Sequence, residues 1–372
     1  MAYQGAISLV FPIKSIFHCI MKKITYLILV LVAPLAFAQN PKADSLIRAH
    51  LEKSNSIGMV AGFSKGKERW TLSEGMADQE EGQPISATTK IRIASVIKMV
   101  TATAIMQLVE DGKVELDEKI SSYLSDLPSH LSSITVRHLL NHSAGIRGYN
   151  SQKERRNFKQ YPTLQDAFSI FRDDALEGTP GQQYSYSTYG YVVLGLVVEQ
   201  ASGQDFESYI QTKILKPLGM ENTGIERYNA LPDPMSEVYH KNSKGKVRKE
   251  KRSNISDRIP GGGFYSTVDD MLSFGQALMS GKLISKSSFQ QMITDSGLKK
   301  EGNAYGLGLF LYGENPNHGN VVGHGGAQLG ASTQLMLLPD IGAVTFVASN
   351  TSATGQDVFL LSVRYFELAA EL

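Results

Sequence analysis

Ile91-Arg92-Ile93-Ala94-Ser95-Val96-Ile97-Lys98 decides the reading of this chain. Its last four residues, Ser95-Val96-Ile97-Lys98, open an apolar run that predicts a buried helix to about Glu110, where Asp111-Gly112 stops it. Three residues apart on a helix, the hydroxyl and the ammonium share one face. A serine there has its backbone N–H at a positive helix terminus, and a cation beside it lowers the cost of an alkoxide. Two plainer readings compete: Ser95 as a helix cap, and Lys98 as a surface side chain with a buried stem. Capping is compatible with nucleophilicity, and an ammonium among Val96, Ile97, Met99 and Val100 is costly to bury without a partner.

A chain this rich in Ser and Lys also contains the tetrad by accident, as at Ser296 and Lys299. Two further motifs downstream of Ser95, in a fixed order, set it apart. Pro180-Gly181-Gln182-Gln183-Tyr184-Ser185-Tyr186-Ser187-Thr188 places Tyr186 91 residues after Ser95, and Gly323-His324-Gly325-Gly326 places His324 138 residues after Tyr186. With these motifs the chain resembles the serine β-lactamase and penicillin-recognising hydrolase family, in the branch of class C β-lactamases, DD-carboxypeptidases, D-aminopeptidases and related esterases. The likeness spans nearly the whole mature chain. It extends to Ile134 through Gly145, Lys216-Pro217-Leu218-Gly219-Met220, Gly261-Gly262-Gly263-Phe264-Tyr265-Ser266-Thr267 and Tyr305-Gly306-Leu307-Gly308.

The resemblance implies a serine hydrolase with Ser95 as nucleophile, Lys98 and Tyr186 sharing proton transfer, and His324 in the third motif. It also implies an oxyanion hole from the N–H groups of Ser95 and Ala327. Thr188, Gly325 and Gly326 would face substrate, the glycines letting its backbone lie against a strand. A phenol is a poor base at its reference pKa near ~10. Proximity to the Lys98 ammonium is expected to favour the Tyr186 phenolate, and which of the two takes the Ser95 proton first is open. His324 is expected to hydrogen-bond the Tyr186 and Ser95 side of the site and to titrate near neutral pH. No clustered ligand set accompanies His324, and His138 and His142 read as structural, so neither metal nor cofactor is expected.

The departures from the family pattern bear on substrate. Thr188 stands where Asn is usual, Gly325 and Ala327 where hydroxyls are common, and no Lys or Arg occurs from Gly302 to Gly323. Recognition of a terminal carboxylate would then fall to His324 or a distant loop, which favours esterase, D-amino-acid amidase or peptidase chemistry over β-lactamase or DD-carboxypeptidase activity. The stretch Lys241 to Arg252 holds seven Lys and Arg against one Glu and reads as a solvated loop, or as a lid over anionic envelope material.

The N-terminus points to export. Met21-Lys22-Lys23, the apolar run Ile24 to Leu35 and Ala36-Phe37-Ala38 compose a signal peptide over 21–38, with 1–20 an upstream extension. Cys19, the one cysteine, precedes the cleavage site, so the mature chain has no disulfide to form and no lipid anchor site. A periplasmic or secreted protein without a stable membrane anchor is expected. At 372 residues with 42% hydrophobic content the chain can bury a large core, and a net charge of +1 argues against nucleic acid as its partner. A small molecule or peptide carrying an ester or amide, cell-wall derived among the candidates, is expected instead.

Helical periodicity at Asp44–Lys53 precedes strand-like alternation at Gly58–Gly66 and Arg69–Glu74. Strands return at Leu329–Leu338 and Ala343–Ser349, and a helix closes the chain from Gly355. The middle, roughly 113–255, reads as helices and loops, among them Thr163–Leu176, Tyr189–Gln200 and Phe206–Leu215. An α+β fold is expected: one catalytic domain over 41–372, its antiparallel sheet built from both ends of the chain and a mostly helical region inserted between. Gly62-Phe63-Ser64-Lys65-Gly66 fits the nucleophile elbow of α/β-hydrolases, but a second strand-like segment comes after it where that motif needs a helix, so it reads as a hairpin. Against a working hydrolase stands one further alternative, a catalytically silent penicillin-fold protein that binds cell-wall fragments.

Overall fold

The computed structural model describes residues 40–299 and 301–372. The leader expected at 21–38, the extension expected before it and Cys19 lie outside the described residues. From Asn40 onward the chain folds around one eight-stranded antiparallel sheet. Its strands are β1 (Gly58–Lys65), β2 (Glu68–Asp78), β3 (Gln83–Pro84), β4 (Ala304–Tyr305), β5 (Phe310–Asn315), β6 (Gly319–Gln328), β7 (Ala331–Leu338) and β8 (Ala343–Ser349), in the order β3-β2-β1-β8-β7-β6-β5-β4. The seam where the two ends of the chain meet is β1 against β8, in register from Met59 opposite Ser349 to Lys65 opposite Ala343. Both strands are buried almost throughout, as expected for strands covered on both faces.

On one face lie α1 (Pro41–Ser54) and the closing helix α5 (Gly355–Glu371), around Phe63, Trp70 and Tyr365. The Phe63 and Trp70 rings stack at 5.4 Å, and the Tyr365 hydroxyl donates to Ala43 O at 2.9 Å, tying the two terminal helices together. The other face carries α2 (Ile97–Glu110), α3 (Thr188–Ser202) and α4 (Val268–Ser280). Gly275 of α4 lies so close to the sheet that a Cβ there would sit 2.6 Å from the Val344 side chain. Ser64 is a buried residue of β1 opposite Val344, and its Oγ accepts from Gln276 Nε2, so the decoy elbow is strand.

The inserted region departs from the expected helices and loops. Gly224–Ile225 pairs with Phe264–Ser266, which pairs with Ile91–Arg92 just before Ser95. Lys241 to Arg252 is largely a hairpin: Tyr239–Lys241 pairs with Val247–Lys249, and Tyr239–Lys241 runs parallel to Thr351–Ser352. Its charges are mostly engaged internally, with Lys249 on Asp78 at 2.9 Å, Lys241 Nζ on Ser54 O at 2.9 Å and Arg252 Nη2 on Ser236 O at 2.6 Å. A string of lysines hides a hairpin because the backbone ladder and a few buried ion pairs outweigh composition. Thr163 caps a helix through a box with Asp166, but the helix spans only Leu164–Phe168 and stops short of the expected Leu176. The chain then turns so that Phe171 can stack on Tyr189, 4.5 Å between centroids.

Behind the Ser95 turn sits a buried cation–anion–cation cluster. Arg92 Nε donates to Glu226 at 2.7 Å, its other nitrogens reach Leu329 O and Ser253 O at 2.8 Å, and Arg252 lies 3.5 Å from Glu226. Burial pushes the Glu226 carboxyl up, but Arg92 and Arg252 outweigh this and hold it below its usual range. Its contribution to stability is therefore present at neutral pH and lost as pH falls through the lowered value. Glu226→Gln, which leaves two buried guanidinium groups without their counter-charge, is expected to cost about 3–5 kcal/mol by urea denaturation. A loss below about 1 kcal/mol would mean that the cluster is effectively solvated.

Candidate active site

Ser95 sits in a single 3₁₀ turn, Ala94–Val96, that leads directly into α2. Neither helix has a side-chain cap, so Ser95 is no capping residue. Ala94 holds φ at +48°, a left-handed conformation that costs a residue with a Cβ on the order of 1–3 kcal/mol and here turns the chain sharply at the serine. Strand β6 braces that turn. A Cβ on Gly326 would lie 2.6 Å from Ile93 O and 2.2 Å from Thr333 Oγ1, and Thr333 itself donates to Ile93 O. Gly326 is thus glycine because backbone meets backbone there.

Lys98, one turn on, is wholly buried. Its Nζ lies 2.6 Å from Gly261 O, 3.3 Å from Thr188 Oγ1 and 3.1 Å from Ser95 Oγ. Among the described residues it has no carboxylate partner. Burial first, and then the Arg258 charge, drive its pKa well below 10.5. A neutral amine has two N–H bonds and one lone pair. In that neutral form, with Gly261 O and Thr188 Oγ1 accepting the former, the lone pair would face Ser95 Oγ.

Tyr186 lies across the serine from this lysine, its ring centroid 5.0 Å from Lys98 Nζ. Burial raises its pKa well above the usual tyrosine value, opposed by a hydrogen bond with Ser95. The expected phenolate is therefore disfavoured: desolvation penalises both charged forms, pushing the lysine toward the amine and the tyrosine toward the phenol. His142 packs against Tyr186 at 4.2 Å between centroids, at φ +60°, its Nδ1 accepting from Ser187 N at 3.2 Å. His138, four residues earlier, instead completes a capping box with Thr135.

His324 is buried on β6, and its geometry fixes its proton. Nδ1 is 2.6 Å from Gly325 O, which can only accept, so Nε2 accepts from the Tyr305 hydroxyl at 3.1 Å. Burial, the largest cause, brings its pKa down to about 3. The expectations of a near-neutral titration and of a bond to Tyr186 both fail: His324 is neutral and its partner is Tyr305.

Two arms of one cleft meet at Ser95 and Ala327, which line both. The larger, about 640 Å³, is walled by Tyr184, Tyr186, Phe310, Tyr312 and Phe359, with His324, Gly325 and Lys299. The smaller, about 230 Å³, runs past Thr188 and Gly261 to Tyr149, Arg155, Arg156 and His240. No group of three or more His, Cys, Asp or Glu among the described residues is arranged to hold a metal ion.

A Beta-lactamase family profile matches residues 43–370. The chain belongs to the Beta-lactamase family. A penicillin-binding protein of Bacillus subtilis (strain 168) is 29% identical over 77% of this chain and 66% of its own length, and the esterase EstB of Burkholderia gladioli is 29% identical over 64% and 69%. The chain thus spans about two thirds of the length of these relatives. Among solved structures, the penicillin-binding protein of Bacillus halodurans superposes with a TM-score of 0.75 at 26% identity, covering 84% of this chain and 97% of that one.

Within this Beta-lactamase family cleft, Ser95 and Lys98, Tyr186 and Thr188, and His324 and Ala327 come together from separate stretches of sequence. Sequence reasoning missed Gly261 O, whose signal was the Gly261-Gly262-Gly263 run, and Tyr305, whose signal was its place beside Gly306-Leu307-Gly308. It also dismissed Lys299, which lies 5.6 Å from the Tyr184 ring centroid in the larger arm. Lys299 in the larger arm and Arg155 and Arg156 in the smaller place cations along the cleft outside 302–323.

Proposed function

We propose that this protein hydrolyses an ester or amide through an acyl-enzyme on Ser95, in the periplasm or outside the cell. The observation that carries the reading is the buried, carboxylate-free Lys98 with Ser95 Oγ at 3.1 Å. Neutral Lys98 takes the Ser95 proton as Oγ bonds to the carbonyl carbon, and the N–H groups of Ser95 and Ala327 receive the oxyanion. The Tyr186 phenol gives its proton to the leaving atom and regains one from the Lys98 ammonium. Water then attacks the acyl carbon, its proton passing to Lys98, which returns it to Ser95 Oγ as the acyl–oxygen bond breaks and the acid is released. The likeness to an esterase and to penicillin-binding proteins supports this chemistry. The leader-like sequence at 21–38 supports export.

A fluorophosphonate probe followed by intact-mass spectrometry and peptide mapping tests the reading. Modification of Ser95 is the expected result. Labelling confined to Ser64 would contradict the Ser95 mechanism in favour of that serine as nucleophile, and no labelling of a folded protein would favour the silent binding protein. Turnover of an activated ester is expected to survive chelation, because the base and acid are side chains. A loss restored by zinc would contradict the mechanism.

A further inference from the structure

We propose that the smaller arm of the cleft is an acyl-side subsite for a carboxylate, with Arg155 as the cation that receives it. This rests on the Ser95 acyl-enzyme reading, which sets the direction of the substrate. Tyr186 lines only the larger arm, whereas Thr188 and Gly261, the neighbours of Lys98, line only the smaller. The proton donor to the leaving atom is Tyr186, so the leaving group lies in the aromatic arm and the acyl chain runs into the other.

The charges lining the smaller arm all have one sign. It presents Arg155, Arg156 and Arg258 and no Asp or Glu. Two of the three are already engaged. Arg258 is buried on Asp257 at 2.6 Å, and Arg156 reaches Glu250 at 3.4 Å. Arg155 is exposed, and among the described residues it has neither an ion pair nor a side-chain hydrogen bond. It lies 5.5 Å from the Tyr149 ring, while Arg258 lies 4.5 Å from the same ring. Tyr149 in turn packs edge-on against Tyr189 at 5.2 Å. The guanidinium thus rests on an anchored aromatic plate, its planar donors available for a bidentate partner. A volume of about 230 Å³ suits a short chain rather than a polymer segment, and one uncommitted guanidinium matches a singly charged carboxylate better than a phosphate.

The test compares two p-nitrophenyl esters of equal length, the glutarate monoester and its glutaramate, which differ only in replacing carboxylate by amide. Wild-type kcat/KM is expected to favour the glutarate by about tenfold at low salt, with the preference shrinking as sodium chloride screens an exposed pair. In Arg155→Gln the ratio should fall toward one while the glutaramate value stays within about twofold of wild type, and Arg155→Glu should invert the preference. A wild-type ratio near one, or a preference untouched by Arg155→Gln, would overturn the proposal. Calorimetric titration of Ser95→Ala protein with the glutarate ester separates the two readings. Arg155-dependent binding without wild-type turnover of either ester would retain the subsite and remove the acyl-enzyme, whereas binding indifferent to Arg155 would remove the subsite.

Discussion

Lys98→Arg is expected to lower kcat/KM for an activated ester by two to four orders of magnitude, about the full contribution of a general base. The guanidinium keeps the positive charge and some of the reach of lysine but does not deprotonate. It can therefore stabilise a neighbouring alkoxide electrostatically yet cannot accept the Ser95 proton. Lys98→Met, which removes charge and base together, should lose as much activity, and it should gain stability because a buried amine beside Gly261 O and Thr188 is replaced by an apolar chain of similar volume. Steady-state kinetics with urea denaturation of both variants checks this. An arginine variant retaining more than about a tenth of wild-type activity would show that a fixed cation suffices.

Ser95→Ala should remove at least about four orders of magnitude from turnover and abolish every covalent adduct, because among the described residues no other hydroxyl lines both arms with an amine 3.1 Å away. Ser64→Ala, by contrast, should leave kcat/KM within about twofold, since that hydroxyl is buried in β1 under Gln276. Residual turnover in Ser95→Ala comparable with wild type would require water to be the direct nucleophile. The near-native denaturation midpoint expected for Ser95→Ala separates loss of chemistry from loss of fold.

What could be read along the chain was what local spacing encodes. Ser95 and Lys98 share a helix face at any burial, and Tyr186 and Thr188 flank the capped start of α3, so their chemistry was visible from a few residues of context. The sheet was legible at its two ends for the same reason, because β1, β7 and β8 are apolar runs bounded by turns. Protonation was not. The phenolate expected at Tyr186 and the neutral-range titration expected at His324 came from counting charges, whereas desolvation sets both, and desolvation depends on Tyr191, Tyr305 and His142 arriving from elsewhere. The basic hairpin was hidden because its lysines answer Asp78, Asp357 and the Ser54 carbonyl, partners remote in sequence. Gly261 O escaped notice because the Gly261-Gly262-Gly263 run signals a close backbone approach without saying which side chain the carbonyl meets, and Lys98 is remote from it in sequence.

Measuring the Lys98 titration itself against the pH profile tests the central claim most directly. Lysine-ε-¹³C NMR of the free enzyme, with Lys98→Met to assign the resonance, would follow the amine while kcat/KM for an uncharged ester is recorded over the same range. The expected result is a Lys98 titration well below 10.5 that coincides with the acid limb of kcat/KM, activity rising with pH as the amine loses its proton. With His324 already neutral above about pH 4 and Tyr186 protonated far into the alkaline range, neither should add a limb between. A Lys98 resonance still fully protonated at the pH where kcat/KM has reached its plateau would contradict a lysine base.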